Sequence, residues 1–535
     1  MELQSSLTSS TGEYPKKSCI PISQQKWLKH KGAILVLIWN FSANIVYQYF
    51  TISKERDPIK QTMQLNPEEI LTTIGLFLPI GGWLADAYLG RYKVVLYGMW
   101  TMWLGAMLNG LSFILGKVVA PYEEHGDQWV AVFCKIIMGA GLGAFQANII
   151  QFGVDQLSDA SSTEITSFIM WYALTWFASG TTMYYSAHCT SEYVAVLVVA
   201  VCLTLALCSN FILNHWLVKE HIISNPLPQI RKVVQYTIKN RHQWPRLLLC
   251  EEHGLLSRLN IAKTIYAGPF TSEQVEDVKT FFRVVGVIAI FMIACSGIPV
   301  TNTVGSKLAP HLHNWPNSTA IRSCYERLSI TYNYTFVLVV VLLYQIIIHP
   351  VFYDCIPKVH VTITAKFITA VLLFFTSIVA LLGIELASYH YQLRKNATVI
   401  KCIFTNTENH GYVDIGIEFY WILIPVVLNG LATFVFILPG IEFICAQAPY
   451  NMKGLLFGIG YVLYGCGNLA QSVLSIPFLS KQPAWEKAPL TCGIWYFIIQ
   501  AVIVVTSFMT VVIMIKKYKR RKRNYDLQSD RQQQT

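Results

Sequence analysis

The amino-acid sequence predicts an all-α membrane protein of about twelve transmembrane helices, arranged as two six-helix bundles. Three observations predict it. Only 13% of the 535 residues are charged against 53% apolar, and mean hydropathy is +0.43, whereas a soluble domain carries about 25% charged residues to keep its surface wetted. The apolar residues gather in runs of the roughly 20 residues that a helix needs to cross a bilayer. A long polar stretch divides those runs into two sets. Helices rather than strands follow because hydrocarbon offers no partner to an open sheet edge.

The elements follow in chain order. Residues 1–31 are polar and Lys-bearing, a cytosolic tail with no secretory signal. Runs near 32–50, 69–90, 92–116, 129–150, 165–187 and 193–216 make the first bundle, 32–216. Residues 217–280 mix Arg231, Lys232, Lys239, Arg241 and Arg246 with Glu251, Glu252, Glu273, Glu276 and Asp277. They read as a cytosolic linker with one or two amphipathic helices. Within it, Glu251-Glu252-His253-Gly254-Leu255-Leu256 fits an acidic dileucine sorting pattern or, more plainly, a helix end. Runs near 281–303, 334–353, 362–385, 418–445, 453–476 and 491–515 make the second bundle, 281–515. The tail 516–535 opens on Lys516, Lys517, Lys519, Arg520, Arg521, Lys522 and Arg523.

Charge and sequons set the orientation. Arg91, Lys93, Lys358 and Lys453 lie in short loops on the same side as both Lys-bearing termini, while Glu123, Glu124 and Asp127 fall on the other side. The positive-inside rule then puts both termini in the cytosol; Lys54, Arg56 and Lys60 in the first loop are a partial exception. Glycosylation sequons at Asn317, Asn333 and Asn396 fall in or beside loops that this topology places outside. Cys324 and Cys402 share those loops and either pair or stay free. The plasma membrane and the endolysosomal membrane both fit.

The net charge of +11 sits in segments flanking apolar runs, which speaks against nucleic acid as a partner and for the bilayer surface. The thirteen cysteines are scattered without a CxxC pair. No nucleophile elbow, HExxH, phosphate-cradling loop or His/Cys cluster is present, so neither an enzyme nor a resident metal or cofactor is expected, beyond a possible proton gradient. The expected partners are the bilayer and a small-molecule substrate, with the chain acting as a monomer.

The most informative local pattern is Gly81-Gly82-Trp83-Leu84-Ala85-Asp86-Ala87-Tyr88-Leu89-Gly90-Arg91-Tyr92-Lys93, which joins spans 2 and 3. Its glycines permit close helix approach, and Asp86 and Arg91 are spaced to pair as a latch between two rocking halves. The plainer reading is a tight turn with ordinary flanking charges. With this motif, the six-plus-linker-plus-six layout, Phe152-Gly153-Val154-Asp155-Gln156-Leu157, and Gly440-Ile441-Glu442-Phe443-Ile444-Cys445-Ala446-Gln447-Ala448-Pro449 followed by Met452-Lys453-Gly454, the chain resembles the proton-dependent oligopeptide transporters of the major facilitator superfamily. The linker stretch 259–279 is similar too. The resemblance implies alternating access around a midplane site and, as substrates, di- or tripeptides or histidine-like amino acids.

It also implies roles for single residues. The Glu matching Glu442 receives a peptide's amino group in the family, and a lone carboxylate inside a span costs roughly 2.5–3.5 kcal/mol unless it faces a cavity or a partner. The family's ExxER motif of span 1 is replaced here by Asn40-Phe41-Ser42-Ala43-Asn44. Gln146 stands where the family has a span-4 Lys, and Asn302 lies in a span 7 without an acid. Asn40, Asn44, Gln146 and Asn302 therefore make a polar but uncharged version of the pocket, with weak carboxylate capture and no titratable group in span 1 for proton coupling. Tyr47, Trp171 and Tyr172 could line it. Possible coupling groups are Glu442 and His349, although His349 reads more plainly as a helix-interior imidazole on a backbone carbonyl. Lys366 and Glu385 read as interfacial flanks of span 9. The alternative reading is a receptor or scaffold that has lost transport.

Overall fold

The computed structural model describes residues 30–55, 67–119, 126–157, 160, 162–187, 192–219, 225–243, 257–294, 333–348, 363–394, 418–479 and 493–517. Among them, twelve long helices follow the twelve apolar runs. The first six are α1 (Lys31–Glu55), α2 (Pro67–Leu84), α3 (Arg91–Val119), α4 (Gly126–Asp155), α5 (Ser162–Ala187) and α6 (Glu192–Leu213). A linker helix α7 (Pro226–Lys239) follows. The second six are α8 (Ser272–Ala294), α9 (Asn333–Ile347), α10 (Ile363–Arg394), α11 (Leu423–Gln447), α12 (Lys453–Leu479) and α13 (Gly493–Lys517). Seven of these helices are long and apolar enough to cross a membrane by length and composition. Several outrun their apolar run, α10 most clearly, because a run marks only the hydrocarbon part of a helix.

Apolarity follows lipid rather than core. The most apolar stretch of α6 has hydropathy 2.6 and is 33% buried, whereas that of α1 has hydropathy 1.3 and is 72% buried. On α6, Leu197, Val201 and Leu205 make an exposed stripe at four-residue spacing, and Ile498, Val502, Val505 and Met509 make one on α13 at spacings of three and four. Such stripes suit acyl chains. On α1 the polar Asn40, Ser42, Asn44 and Gln48 are buried. The centre of the molecule is thus where its hydrogen-bonding groups sit. One apolar cluster joins α1–α6 to Val284, Val337, Phe434 and Leu456 of the second half, and a smaller one knits α10, α11 and α13 around Phe367, Phe374, Phe436 and Phe497.

Backbone contact sets the closest helix approaches. A Cβ on Gly98 of α3 would stand 2.8 Å from the Gly141 carbonyl of α4, and one on Gly141 would stand 2.7 Å from the Gly98 carbonyl. Between the halves, a Cβ on Gly82 of α2 would collide with the Gly454 carbonyl of α12.

The linker is a folded piece. Val233 of α7 packs on Ala262, Val275 and Val278. Glu276 pairs with Lys263 at 2.6 Å and with Lys279 at 2.7 Å, and Lys279 also donates to Asn260. Asn225 caps α7 by accepting from the Leu227 amide at 3.2 Å. It also accepts from Trp83 Nε1 at 3.3 Å and donates to the Tyr88 hydroxyl at 3.1 Å, pinning the linker to the α2–α3 turn.

Gly98→Leu should therefore lower stability in detergent by about 1–3 kcal/mol through overpacking. Gly286→Leu on α8, where no atom lies within 4 Å of an added Cβ, should leave thermal unfolding nearly unchanged.

Candidate functional site

Two assemblies of polar groups stand out, one at the α2–α3 turn and one in the seam between the halves. At the turn, α2 runs into a π-helical stretch, Ala85–Leu89, which ends at Gly90 with φ 81°. Only glycine adopts that φ readily, and it swings the chain straight into α3. The extra π turn leaves Asp86 buried and aimed across at α12. Asp86 Oδ2 accepts from the Leu455 amide at 3.0 Å, in the first turn of α12. A carboxylate there satisfies orphan amides and meets the positive end of the helix dipole. Burial disfavours the Asp86 carboxylate, and Arg91 with the Leu455 and Gly454 amides favours it.

The expected Asp86–Arg91 pair is present but loose, with Nε 3.8 Å from Oδ1. The short bond of Arg91 runs instead from Nη1 to Asp155 Oδ2 on α4, at 2.5 Å. Gln151 holds the other Asp155 oxygen at 2.6 Å. The ion pairs therefore form a triad: Arg91 ties α3 to α4, and Asp86 ties the first half to α12. Asp155 stands in one of the motif blocks quoted above, but nothing in its local pattern pointed to Arg91, 64 residues away.

In the seam, the four-residue spacing of Asn40 and Asn44 puts both on the face of α1 that meets α5. Asn40 Nδ2 donates to Thr175 Oγ1 at 2.5 Å, and Asn44 Nδ2 donates to the same oxygen at 3.3 Å. Gln146 Nε2 of α4 donates to Asn44 Oδ1 at 2.8 Å, and the Tyr172 hydroxyl of α5 donates to Gln146 Oε1 at 3.1 Å. The Tyr172 hydroxyl also lies 3.5 Å from that of Tyr461 on α12. Four expected residues, Asn40, Asn44, Gln146 and Tyr172, thus converge in one uncharged chain of hydrogen bonds that reaches the second half. Thr175 and Tyr461 were not anticipated; both look like ordinary residues of a span. Tyr47 packs on Trp176, ring centroids 4.5 Å apart.

Glu442 has the partner that a carboxylate inside a span needs, and Lys366 is the correction: its Nζ lies 2.5 Å from Glu442 Oε1. On a helical wheel of about 100° per residue, Phe434, Leu438, Ile441 and Cys445 of α11 form one stripe. Phe434 meets Phe177 of α5 across the seam, while Ala432 and Phe436 face the α10 side. Glu442 falls between these two faces, and five residues before the end of α11 it sits toward the α2–α3 turn end of the molecule. Lys366, read from sequence as an interfacial flank, instead turns inward from the first turn of α10. Glu385, the other expected flank, is buried as well.

Asn333 is a second correction. It is 6% exposed at the start of α9, and a Cβ on Gly430 of α11 would collide with its Oδ1. The sequon falls where the helix already packs on its neighbour, so it offers no surface acceptor. Asn302, His349, Asn317, Asn396, Cys324, Cys402 and residues 251–256 lie outside the described residues.

Arg91, its side chain 10% exposed, lies against two buried carboxylates, and removing one partner of a buried set costs about 3–5 kcal/mol. Arg91→Ala should lower the thermal midpoint steeply, and Arg91→Ala with Asp155→Asn should recover part of the loss. Equal destabilisation by the single and double variants would contradict the pairing.

No family model matches the chain. It is 21% identical over 511 residues to solute carrier family 15 member 3 of Rattus norvegicus, across 85% of this chain and 84% of that protein. It is 27% identical over 173 residues to protein NRT1/PTR family 5.7 of Arabidopsis thaliana, across 30% and 27%. Among solved structures, an auto-inhibited POT family peptide transporter matches with TM-score 0.59 at 13% identity, covering 92% of this chain and 98% of its own. The POT family transporter PepTSo matches with TM-score 0.59 at 14% identity, covering 91% and 98%. The human organic anion transporter MFSD10 matches with TM-score 0.50 at 10% identity, covering 92% and 100%. At these identities the structural likeness speaks for the fold, that of the major facilitator transporters, and its company is transporters rather than enzymes. Its near-full-length relative and the motif blocks make the chain similar to the proton-dependent oligopeptide transporters.

Proposed function

We propose that the protein is a secondary transporter of short peptides or histidine-like amino acids. Its two six-helix halves alternate access to the seam between them, with the α2–α3 turn at the cytosolic face. The observation that carries this reading is the uncharged hydrogen-bond chain from Asn40 and Asn44 through Thr175, Gln146 and Tyr172 to Tyr461. Polar side chains are expensive inside a lipid-embedded bundle and mark solute pathways when they face its interior. This chain lies where rocking halves would open it, and its link to the second half is one long hydroxyl contact of 3.5 Å. At the cytosolic end, Asp86 on the N-terminus of α12 is the bond that must break for inward opening.

Substrate ends are treated unequally in this reading. Amides bond a carboxylate without Coulomb attraction, so the carboxyl end is held weakly. The amino end is taken by Glu442, and a substrate ammonium replaces that of Lys366 there. With no titratable group among the seam residues of α1, flux runs without a proton gradient, unless Glu442, or His349 beyond the described residues, supplies the coupling. The same loss of charge in α1 motivates the second reading, a receptor or scaffold, in which normally inserted protein carries no solute at all.

Uptake of labelled dialanine into proteoliposomes, with and without a pH gradient, tests the proposal. Gradient-independent flux is the expected result, and no flux for any dipeptide or for histidine would end it in favour of the scaffold. Glu442→Gln should cut uptake tenfold or more and also destabilise the protein, because it strands the Lys366 ammonium. Adding Lys366→Met should restore stability but not uptake. Recovery of both together would reduce Glu442 to a structural group.

A further inference from the structure

Gln345 is a buried amide that neither the fold nor the site described above employs. It is 0% exposed, and among the described residues neither its Oε1 nor its Nε2 has a hydrogen-bond partner. Leaving such a group unmatched costs about 1–3 kcal/mol, so its retention in an otherwise apolar Leu-Leu-Tyr-Gln-Ile-Ile-Ile run calls for a reason. A second observation points the same way. Gln345 stands in a π-helical turn, Tyr344–Ile348, at the last described residues of this span. Such turns free backbone groups and recur at functional positions.

The direction of the side chain follows from helix phase. Tyr334 of α9 faces the first half: it stacks on Tyr184 with centroids 5.5 Å apart, lies 5.9 Å from Phe177 and fills the space beside Gly180. Eleven residues are close to three helical turns, so Gln345 returns to within about 20° of that face, about 16 Å further along the axis. Val341 and Tyr344 on the same stretch belong to the apolar cluster shared by both halves. The amide therefore enters the seam from the second half.

We propose that Gln345 binds the peptide bond of the substrate. A primary amide presents one donor group and one acceptor, the complement of a peptide N–H and C=O, and it attracts neither charged terminus. A site built to hydrogen-bond a group discriminates strongly against analogues that lack it. This residue would thus select peptides over free amino acids. The inference rests on the transporter reading above and decides between the two substrate classes it leaves open.

The test uses the full chain purified in detergent, with thermal unfolding in dialanine, in alanyl-lactate (an ester in place of the amide N–H) and in free histidine. Wild type should be stabilised by dialanine and should need at least tenfold more of the ester for the same shift. Gln345→Leu should unfold at the same or a higher temperature without ligand, because the unmatched amide is gone. It should bind dialanine at least tenfold more weakly and no longer tell amide from ester. A lower unliganded midpoint for Gln345→Leu would mark a structural amide, and retained discrimination would place recognition elsewhere; either overturns the proposal. Stabilisation and uptake with histidine but not dialanine would overturn it while sparing the transporter reading. No stabilisation and no uptake with any of the three would remove both.

Discussion

A polar group enclosed by a lipid-embedded helix bundle has no water to turn to, so each one must find a partner in protein or substrate. That constraint organises this molecule. With α3, α1 is the least apolar of the seven helices apolar enough to cross, and it is the most enclosed of them; its Asn40 and Asn44 spend their donors on Thr175 of α5. Gln146 and Tyr172 extend the same chain until it touches Tyr461 in the second half. Replacing charged groups by amides keeps every link neutral. No link then strands an ion when the halves separate, and no link draws strongly on a charged substrate terminus.

Charge is kept instead at the end where α2 turns into α3. Arg91, Asp155 and Gln151 fasten the first half to itself, whereas Asp86 reaches α12 of the second half and caps it. Gly82 lets the two backbones meet there. Asn225 then carries the grip of that turn into the linker, whose Glu276 cluster sits at the start of α8. The strongest bonds across the halves are therefore concentrated at one end and the weakest in the middle, the distribution a rocking mechanism requires. The Glu442–Lys366 pair adds a charged but internally neutral point on the second half alone.

The helices were legible because a bilayer demands long apolar runs, and each of the twelve runs became one helix. The seam amides were legible because a polar residue in such a run is costly, and Asn40, Asn44 and Gln146 stood out in theirs. Partnerships between distant residues were not. A lysine at the end of an apolar run looks the same whether it reaches for headgroups or turns inward, which is why Lys366 read as a flank. Asp155 gave no local sign of Arg91. Asn333 carried an acceptor pattern that packing on Gly430 overrides, and nothing in the sequence marks Gln345, which the structure leaves without a hydrogen-bond partner among the described residues.

The central claim is that the two halves move about the neutral seam. Distances between spin labels, measured by pulsed electron resonance in lipid nanodiscs, test it most directly. One label pair, at the exposed Val218 after α6 and Glu273 at the start of α8, reports on the end that Asp86 closes; another, at Tyr185 of α5 and Tyr420 before α11, reports on the opposite end. The account predicts two populations for each pair, with one end lengthening as the other shortens when dialanine is added. A single distribution at both ends, unmoved by dialanine, would contradict it.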